Sequence, residues 1–353
     1  MEFGLSQEQI LLQDSINRYL YDQASLDVVR EIAAGDTDDK TIWSGLAEMG
    51  VAGLMIPEEH GGVGLGSMDA VIVAECLGYH VTPSAFLSSA VIAPSVLLSA
   101  GYTNDLADIA AGTFRVGIAF SEAVGAREKA GIVVSESHLS GKCLFVLDAN
   151  ADAYLIATSE QSIYLIRSDA AGVKRNQLTT VDKTQTICEL ILEEVKAELI
   201  STDANIYLKA LDTGRVIQAA DTLGAAQCML DQAVAYANQR EQFNRVIASF
   251  QAVKHMCAEM AANLEPCRSM IWYAGHALQA VPEEAPLIAC HAKAHLAEVG
   301  RFVAKTATEV HGGMGFTDLV GLHYWFKRIG CNRQLLGSPE RLREDAARIQ
   351  SLI

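Results

Sequence analysis

The order of apolar and polar positions changes period twice along the chain. Ile10, Leu11, Ile16 and Leu20 recur at helical spacing, and residues 41–49 continue in the same vein. Residues 69–79 and 90–100 read as two further helices. Between the 41–49 and 69–79 segments, residues 50–66 are dense in glycine, which predicts a loop with positive φ angles. No strand of βαβ type precedes that loop and no Gly-Lys-Ser closes it, so it is not read as a phosphate cradle. From residue 112 the pattern shortens. The segments 113–120, 131–134, 142–148, 153–157 and 162–167 are rich in β-branched and aromatic residues and separated by Gly, Asp, Asn and Ser. Their spacing predicts a small antiparallel barrel or sandwich rather than a parallel sheet.

From Tyr207 the helical period returns, with Val216, Ala220, Leu223, Leu230, Val234 and Ala237 on one face and Gln227 interrupting it. A later helix starts near Pro286 behind two acidic residues. Its stripe of Ile288, Ala292, Leu296, Val299, Val303, Ala307 and Val310 stops at Gly312-Gly313. That stripe is wider than one bundle face needs, which favours a neighbouring subunit. The chain therefore reads as a multidomain α+β protein. It has an N-terminal helical domain over 1–111, a middle antiparallel β-barrel or sandwich over 112–202, and a C-terminal helical bundle over 203–353.

Composition narrows the function classes. At 353 residues there is ample chain for a sizeable core. A net charge of −16 argues against nucleic acid as a partner. No apolar run reaches the length of a membrane span, and residues 1–10 lack a signal-peptide pattern. The eight cysteines show neither Cys-x-x-Cys nor zinc spacing, so they read as small hydrophobes in a reducing compartment. A cytoplasmic protein is expected.

Two segments carry the candidate chemistry. The first runs Tyr236-Ala-Asn-Gln-Arg-Glu-Gln-Phe-Asn-Arg-Val-Ile-Ala-Ser-Phe-Gln-Ala-Val-Lys-His255, and the second is Glu309-Val-His-Gly-Gly-Met-Gly-Phe316. Arg240 follows a helix and precedes a turn, where a guanidinium can grip a diphosphate in bidentate fashion or simply pair with a nearby acid such as Glu241. Gly312-Gly313 lets backbone approach a ligand without Cβ interference, and equally serves as a helix C-cap. His255 and His311 have no carboxylate or cysteine partner fixed by spacing, so structural roles are expected for both.

In this order and separation the two segments resemble the signatures of the acyl-CoA dehydrogenase family, and the helix–β–helix order matches that family over essentially the whole chain. The resemblance implies FAD, with Arg240, Gln242, Phe243, Phe250, Gln251, Gly312 and Gly313 serving its adenosine-diphosphate side in a neighbouring subunit. It implies an acyl-CoA substrate and electron-transferring flavoprotein, or a similar carrier, as acceptor. The family's chemistry needs a glutamate base, oxyanion donors and a flavin that takes the β-hydride.

This chain departs from the family at both places where that glutamate is found. Gln334-Leu-Leu-Gly-Ser338 puts Leu336 at one, and Leu211-Asp-Thr-Gly-Arg215 puts Gly214 at the other. The flavin loop is reduced to Ser121-Glu-Ala-Val-Gly-Ala-Arg127. Lys142-Cys-Leu-Phe-Val146 places Leu144 and Val146 where the family's Trp and Thr flank the flavin ring. Asn244 and Ala248 replace usual glycines, and Glu309 a usual glutamine, bringing a negative charge toward the diphosphate region.

The pattern resembles base-lacking subunits of heteromeric bacterial acyl-CoA dehydrogenases, some acting on bulky steroid-type thioesters. It implies no catalytic residue here and a homologous sister chain in a heterotetramer. Two rivals remain. One is a homotetramer whose base is Glu122 or Glu340, and the other is a non-catalytic acyl-CoA-binding or assembly protein without FAD.

Overall fold

The computed structural model describes residues 4–120 and 131–353, so the Ser121–Arg127 segment, Glu122 included, lies outside the described residues. The N-terminal part is helical: α1 (Gln7–Gln23), α2 (Leu26–Ala34), α3 (Lys40–Glu48), α4 (Ser67–Tyr79), α5 (Ala93–Ser99) and α6 (Leu106–Ala110). Ser6 starts α1 with a capping box: its Oγ accepts from Gln9 N at 3.2 Å while Gln9 Oε1 accepts from Ser6 N at 3.0 Å. Ile16 and Leu20 of that helix are buried, whereas Ile10 and Leu11 face solvent. The glycine-rich stretch folds on itself through turns, with φ of +82°, +81° and +71° at Gly50, Gly61 and Gly64. Residues 86–92 form a π-helical run that leads straight into α5 and is almost wholly buried.

The middle part holds β1 (Val116–Ala119), β2 (Gly131–Ser135), β3 (His138–Leu147), β4 (Ala153–Ala157), β5 (Ile163–Arg167), β6 (Val173–Gln177), β7 (Ile187–Lys196) and β8 (Glu198–Ser201). Their order is β6-β7-β3-β1-β4-β5-β8, with β2 also on β3. The sheet is mixed, not wholly antiparallel: β1 lies antiparallel to β3 but parallel to β4, with Val116 opposite Ala153 through Ala119 opposite Ile156. Alternation along a strand reports which face is buried, not which strand lies beside it, and β1 is inserted between two strands consecutive in sequence.

The C-terminal part comprises α7 (Ala204–Gln239), a hairpin of β9 (Glu241–Gln242) and β10 (Arg245–Val246), α8 (Gln251–Ala280), α9 (Ala285–His311), α10 (His323–Asn332) and α11 (Pro339–Ile349). Helix α9 begins with Pro286 in its first turn and ends at Gly312, as the capping signals predict. Its apolar stripe packs against α7 and α8 of the same chain, so the stripe itself says nothing of a partner. Helix α7 is buried on all sides from Ala210 to Ala226, Asp212, Arg215, Gln218 and Asp221 included, while Val234 is exposed. A helix enclosed all round is the bundle's axis rather than one face of it.

Buried guanidinium groups tie the layers together. Arg115 donates to both carboxylate oxygens of Asp39 on the N-terminal side, at 2.8 and 3.0 Å, and to both of Asp148, at 2.9 and 3.0 Å. Arg328 of α10 donates to Asp221 of α7 at 3.1 and 2.8 Å and to Thr184 Oγ1 at 2.9 Å. Such pairs confer little net stability over apolar packing, but removing one partner strands the other in the interior.

All eight cysteines are free. No helix of the described residues is long and apolar enough to cross a membrane, and none of their His, Cys, Asp and Glu side chains cluster to hold a metal.

Candidate functional site

Gly214 and Leu336, 122 positions apart in sequence (336 − 214), meet in the interior. A Cβ built on Gly214 would lie 2.8 Å from Ile92 Cδ1 and 2.9 Å from Leu336 Cδ1. Ile92 ends the π-helical run, and Leu336, 2 % exposed, sits in a turn after α10 at φ +58°, a conformation costly for a side chain with a Cβ. Arg215 holds the turn: its Nε donates to the Leu336 carbonyl at 3.0 Å, and its other nitrogens reach Asp212 at 3.2 Å and Asp345 at 2.8 Å. Three apolar surfaces therefore meet at Gly214, and the nearest carboxyl group, Asp212, is buried against Arg215 with its pKa pushed up to about 6 by burial.

Glu340, the other residue weighed as a base, is engaged in an ion pair. It is exposed in the first turn of α11 and paired with Arg333 at 3.0 Å. Hydrogen bonds from its own backbone N–H, Ser338 and Arg333 hold its carboxyl down to about 2. A carboxylate that acidic is a weak general base near neutrality.

Of the two positions expected beside a flavin ring, Leu144 is half-buried and Val146 is enclosed. In β3, Cys143 lies opposite Leu190 and Val146 opposite Cys188, so β3 carries one residue more than β7 between those pairs. This bulge, with Phe145 at φ +53°, points both Cys143 and Val146 inward. Val146 is 0 % exposed, packed among Cys188, Leu190 and Tyr154 in the sheet's own core. A flavin ring does not fit against a side chain enclosed in that way.

The seven expected diphosphate-side residues gather around the far end of the bundle. Arg240 caps α7, and its guanidinium has no hydrogen-bond or ion-pair partner among the described residues; the pairing with Glu241 left open above is not made. Gln242 and Arg245 pair across a two-residue turn whose central residues, Phe243 and Asn244, have φ of +54° and +61°. That is a type I′ hairpin, and asparagine tolerates the left-handed position where glycine is usual. Phe243, 86 % exposed, meets the Phe250 ring edge-on at 6.1 Å, and Arg245 covers the Phe250 face at 4.0 Å. Gln251 opens α8 and lies 3.0 Å from His255 Nε2, which accounts for that histidine.

Gly312 and Gly313 follow α9 in the open, Gly312 at φ +58°. A Cβ on either would meet nothing within 4 Å. The ends of α7 and α9 are joined by a stack of Tyr236 on His311, 4.6 Å between centroids. His311 Nδ1 lies 2.8 Å from the Ala307 carbonyl, and burial pulls the ring below the usual histidine range, so it is a neutral packing element. Glu309 pairs with Lys305 at 3.7 Å, which offsets its charge. An unpaired arginine, exposed amides and uncovered glycine backbone fit an anionic diphosphate brought from outside the chain.

Arg215, Gln218 and Arg328 were not singled out in the sequence. Arg215 entered only as the end of the Leu211–Arg215 segment, and Gln218 lies off the apolar face read for that helix.

The comparisons agree over the chain's length. A model described as the acyl-CoA dehydrogenase C-terminal domain matches residues 204–350, and one described as the acyl-CoA dehydrogenase N-terminal domain matches residues 6–103. The chain is 30% identical over 348 residues to acyl-CoA dehydrogenase IpdE2 of Mycolicibacterium smegmatis, covering 98% of this chain and 100% of that one. Among solved structures it is similar to the Tcur3481-Tcur3483 steroid ACAD G363A variant, with a TM-score of 0.88, 25% identity and 98% of both chains covered. It shares its fold with the ChsE4-ChsE5 complex from Mycobacterium tuberculosis, at a TM-score of 0.90, 22% identity and 100% of both chains.

Proposed function

Because the chain belongs to the acyl-CoA dehydrogenase family, we propose that it is the base-lacking subunit of a heteromeric, FAD-dependent acyl-CoA dehydrogenase. The observation that carries this reading is the junction of Gly214, Leu336 and Ile92, where both family base positions converge and are apolar. FAD, when bound, supplies the acceptor for the β-hydride of the acyl thioester. This chain's part is to hold the other end of that cofactor. The Arg240 guanidinium grips the diphosphate, Gln242 and Gln251 present amides to it, and Gly312 and Gly313 allow backbone contact. Phe243 and Phe250 hold the hairpin that aims Arg240.

A homologous sister chain supplies the glutamate, the ring pocket and the route to electron-transferring flavoprotein or a similar acceptor. The exposed Phe243 and Phe316, 86% and 80% accessible, support a partner surface at this end of the bundle. A bulky acyl group is supported by the likeness to the steroid ACAD structure, and a two-chain assembly by the ChsE4-ChsE5 fold. The test is acyl-CoA turnover with an artificial electron acceptor, using this chain alone and then with a glutamate-bearing homologue. Turnover is expected only with both, and turnover by the isolated chain refutes the proposal.

A further inference from the structure

Basic side chains from three separate elements line one cavity of about 190 Å³. Arg30 comes from α2, Lys183 from the connection between β6 and β7, and His323 and Lys327 from the start of α10. In a chain of net charge −16 such a gathering runs against the average. Asp182 is the one carboxyl among the described residues of the wall. It is buried and turned to Thr184, its Oδ1 accepting from that residue's N–H at 2.9 Å and hydroxyl at 2.6 Å. Burial raises its pKa, which favours the neutral form.

Two of the four basic groups are partly engaged. Arg30 donates to Asp27 at 2.7 Å and to the carbonyls of Asp318 and Leu319 at 2.5 and 3.1 Å. His323 Nε2 lies 2.8 Å from Asp318 Oδ1. Arg30 Nε and His323 Nδ1 are buried without partners. The ammonium groups of Lys183 and Lys327 make no hydrogen bond or ion pair among the described residues, although Lys327 is half-buried. A solvated lysine is ordinary on any surface. Two that converge with an arginine and a histidine on one cavity repel each other, and an anion between them removes that cost.

The remaining wall is small or apolar. Ala33 and Ala34 leave room above α2, and Val181, 70 % exposed, stands at the rim. The Tyr324 ring lies against His323, 4.3 Å between centroids, and gives the cavity an aromatic side. The volume is ample for a phosphate group and the first atoms of the molecule that carries it.

We propose that this cavity binds the phosphate group of a small phosphate monoester, with Arg30, Lys183 and Lys327 around its oxygens and the organic part against Val181 and Tyr324. A carboxylate brings one charge and two oxygens in a plane. A phosphate monoester brings close to two charges and three terminal oxygens, and so meets donors that arrive from three directions. This inference stands apart from the subunit reading, since it uses no residue of the Arg240 end, neither base position and no cofactor.

The test is a phosphorus NMR titration of the full chain with phenyl phosphate and with inorganic phosphate, at fixed ionic strength and with acetate as competitor. Phenyl phosphate should bind saturably and more tightly than inorganic phosphate, and acetate should compete at least about tenfold more weakly. Lys183→Gln and Lys327→Gln should each weaken binding about ten- to a hundredfold, the worth of one charge-assisted hydrogen bond. Neither ammonium has a partner to lose, so the unfolding midpoint should hold. Lys174→Gln removes the same charge from β6 outside the cavity, and Arg240→Ala removes one from the diphosphate end; both should leave binding unchanged. The probe series on the unaltered chain is decisive even if a variant folds poorly. No saturable binding, no preference for the ester, equal competition by acetate, full binding by both cavity variants, or an equal loss in Lys174→Gln or Arg240→Ala would each overturn the assignment.

Discussion

The two glycine sites of the family resemblance sit in opposite surroundings. At Gly214 an added Cβ would press on Ile92 and Leu336, whereas at Gly313 it would meet nothing within 4 Å. The first glycine is explained by this chain's own packing. The second, in non-glycine-demanding backbone with open space around it, has no explanation inside the chain. The same division holds for arginines. Arg215 and Arg328 are buried and held by carboxylates, carbonyls and, for Arg328, the Thr184 hydroxyl, while Arg240 is exposed and unpaired among the described residues. An interior closed to chemistry and an end left open to a ligand are what a half-site would leave in one subunit.

That contrast can be broken by substitutions, and the largest effect belongs to the interior. Arg328→Met strands Asp221 between α7 and α10, and should cost about 3–5 kcal/mol in denaturant unfolding. A loss below about 1 kcal/mol would mean the pair is solvated and the interior less closed than described. Leu336→Ala should cost about 3 kcal/mol by the same measurement, since it opens a cavity where Ile92 and Gly214 have no way to collapse fully. It should leave FAD retention by an assembled complex unchanged, which separates packing at Leu336 from any cofactor role.

Arg240→Ala should do the reverse. FAD retention in the complex should fall roughly ten- to a hundredfold, the worth of a charge-assisted hydrogen bond at about 1.5–3 kcal/mol, while unfolding changes by less than about 0.5 kcal/mol. Equal FAD affinity would reduce Arg240 to a surface residue.

A gentler probe of the interior is pH. Lys293 is buried in α9 and donates to the Asn332 carbonyl at 2.6 Å. Burial first, then the nearby Arg215, pulls its amine from 10.5 down to about 7. The folded state thus binds fewer protons than the unfolded one between those values. This lysine's contribution to stability is present above the unfolded value and lost as pH falls through about 7. Unfolding free energy should rise between pH 7 and 10 with a limiting slope of about 1.4 kcal/mol per pH unit from this group. Lys293→Met should remove that slope, and an unchanged slope in the variant would assign it elsewhere.

How much of this was legible beforehand depends on the range of the interaction. Local signals read well: Pro286 and Gly312 bound α9 as expected, and glycine at 50, 61 and 64 adopts positive φ. The Phe243-Asn244 turn and its exposed neighbours follow from a short, self-contained hairpin. Longer-range features did not read. Nothing in the alternation of 116–119 says that β1 lies parallel to β4. The all-round burial of α7 was hidden because Asp212, Arg215, Gln218 and Asp221 look like a solvated face until their partners, or the lack of them, are known. The stripe of α9 suggested a partner surface, but its true neighbours are α7 and α8. That Gly214 and Leu336 meet could not be seen from positions so far apart.

The central claim is that this chain holds one side of FAD and cannot use it alone. Flavin counting by absorbance, together with native mass measurement, tests it most directly, on the purified chain and on the chain co-expressed with a glutamate-bearing homologue. The isolated chain should carry almost no FAD, and the co-purified assembly should be two copies of each chain with two FAD molecules. A stable homotetramer of this chain with one FAD per subunit would contradict the half-site.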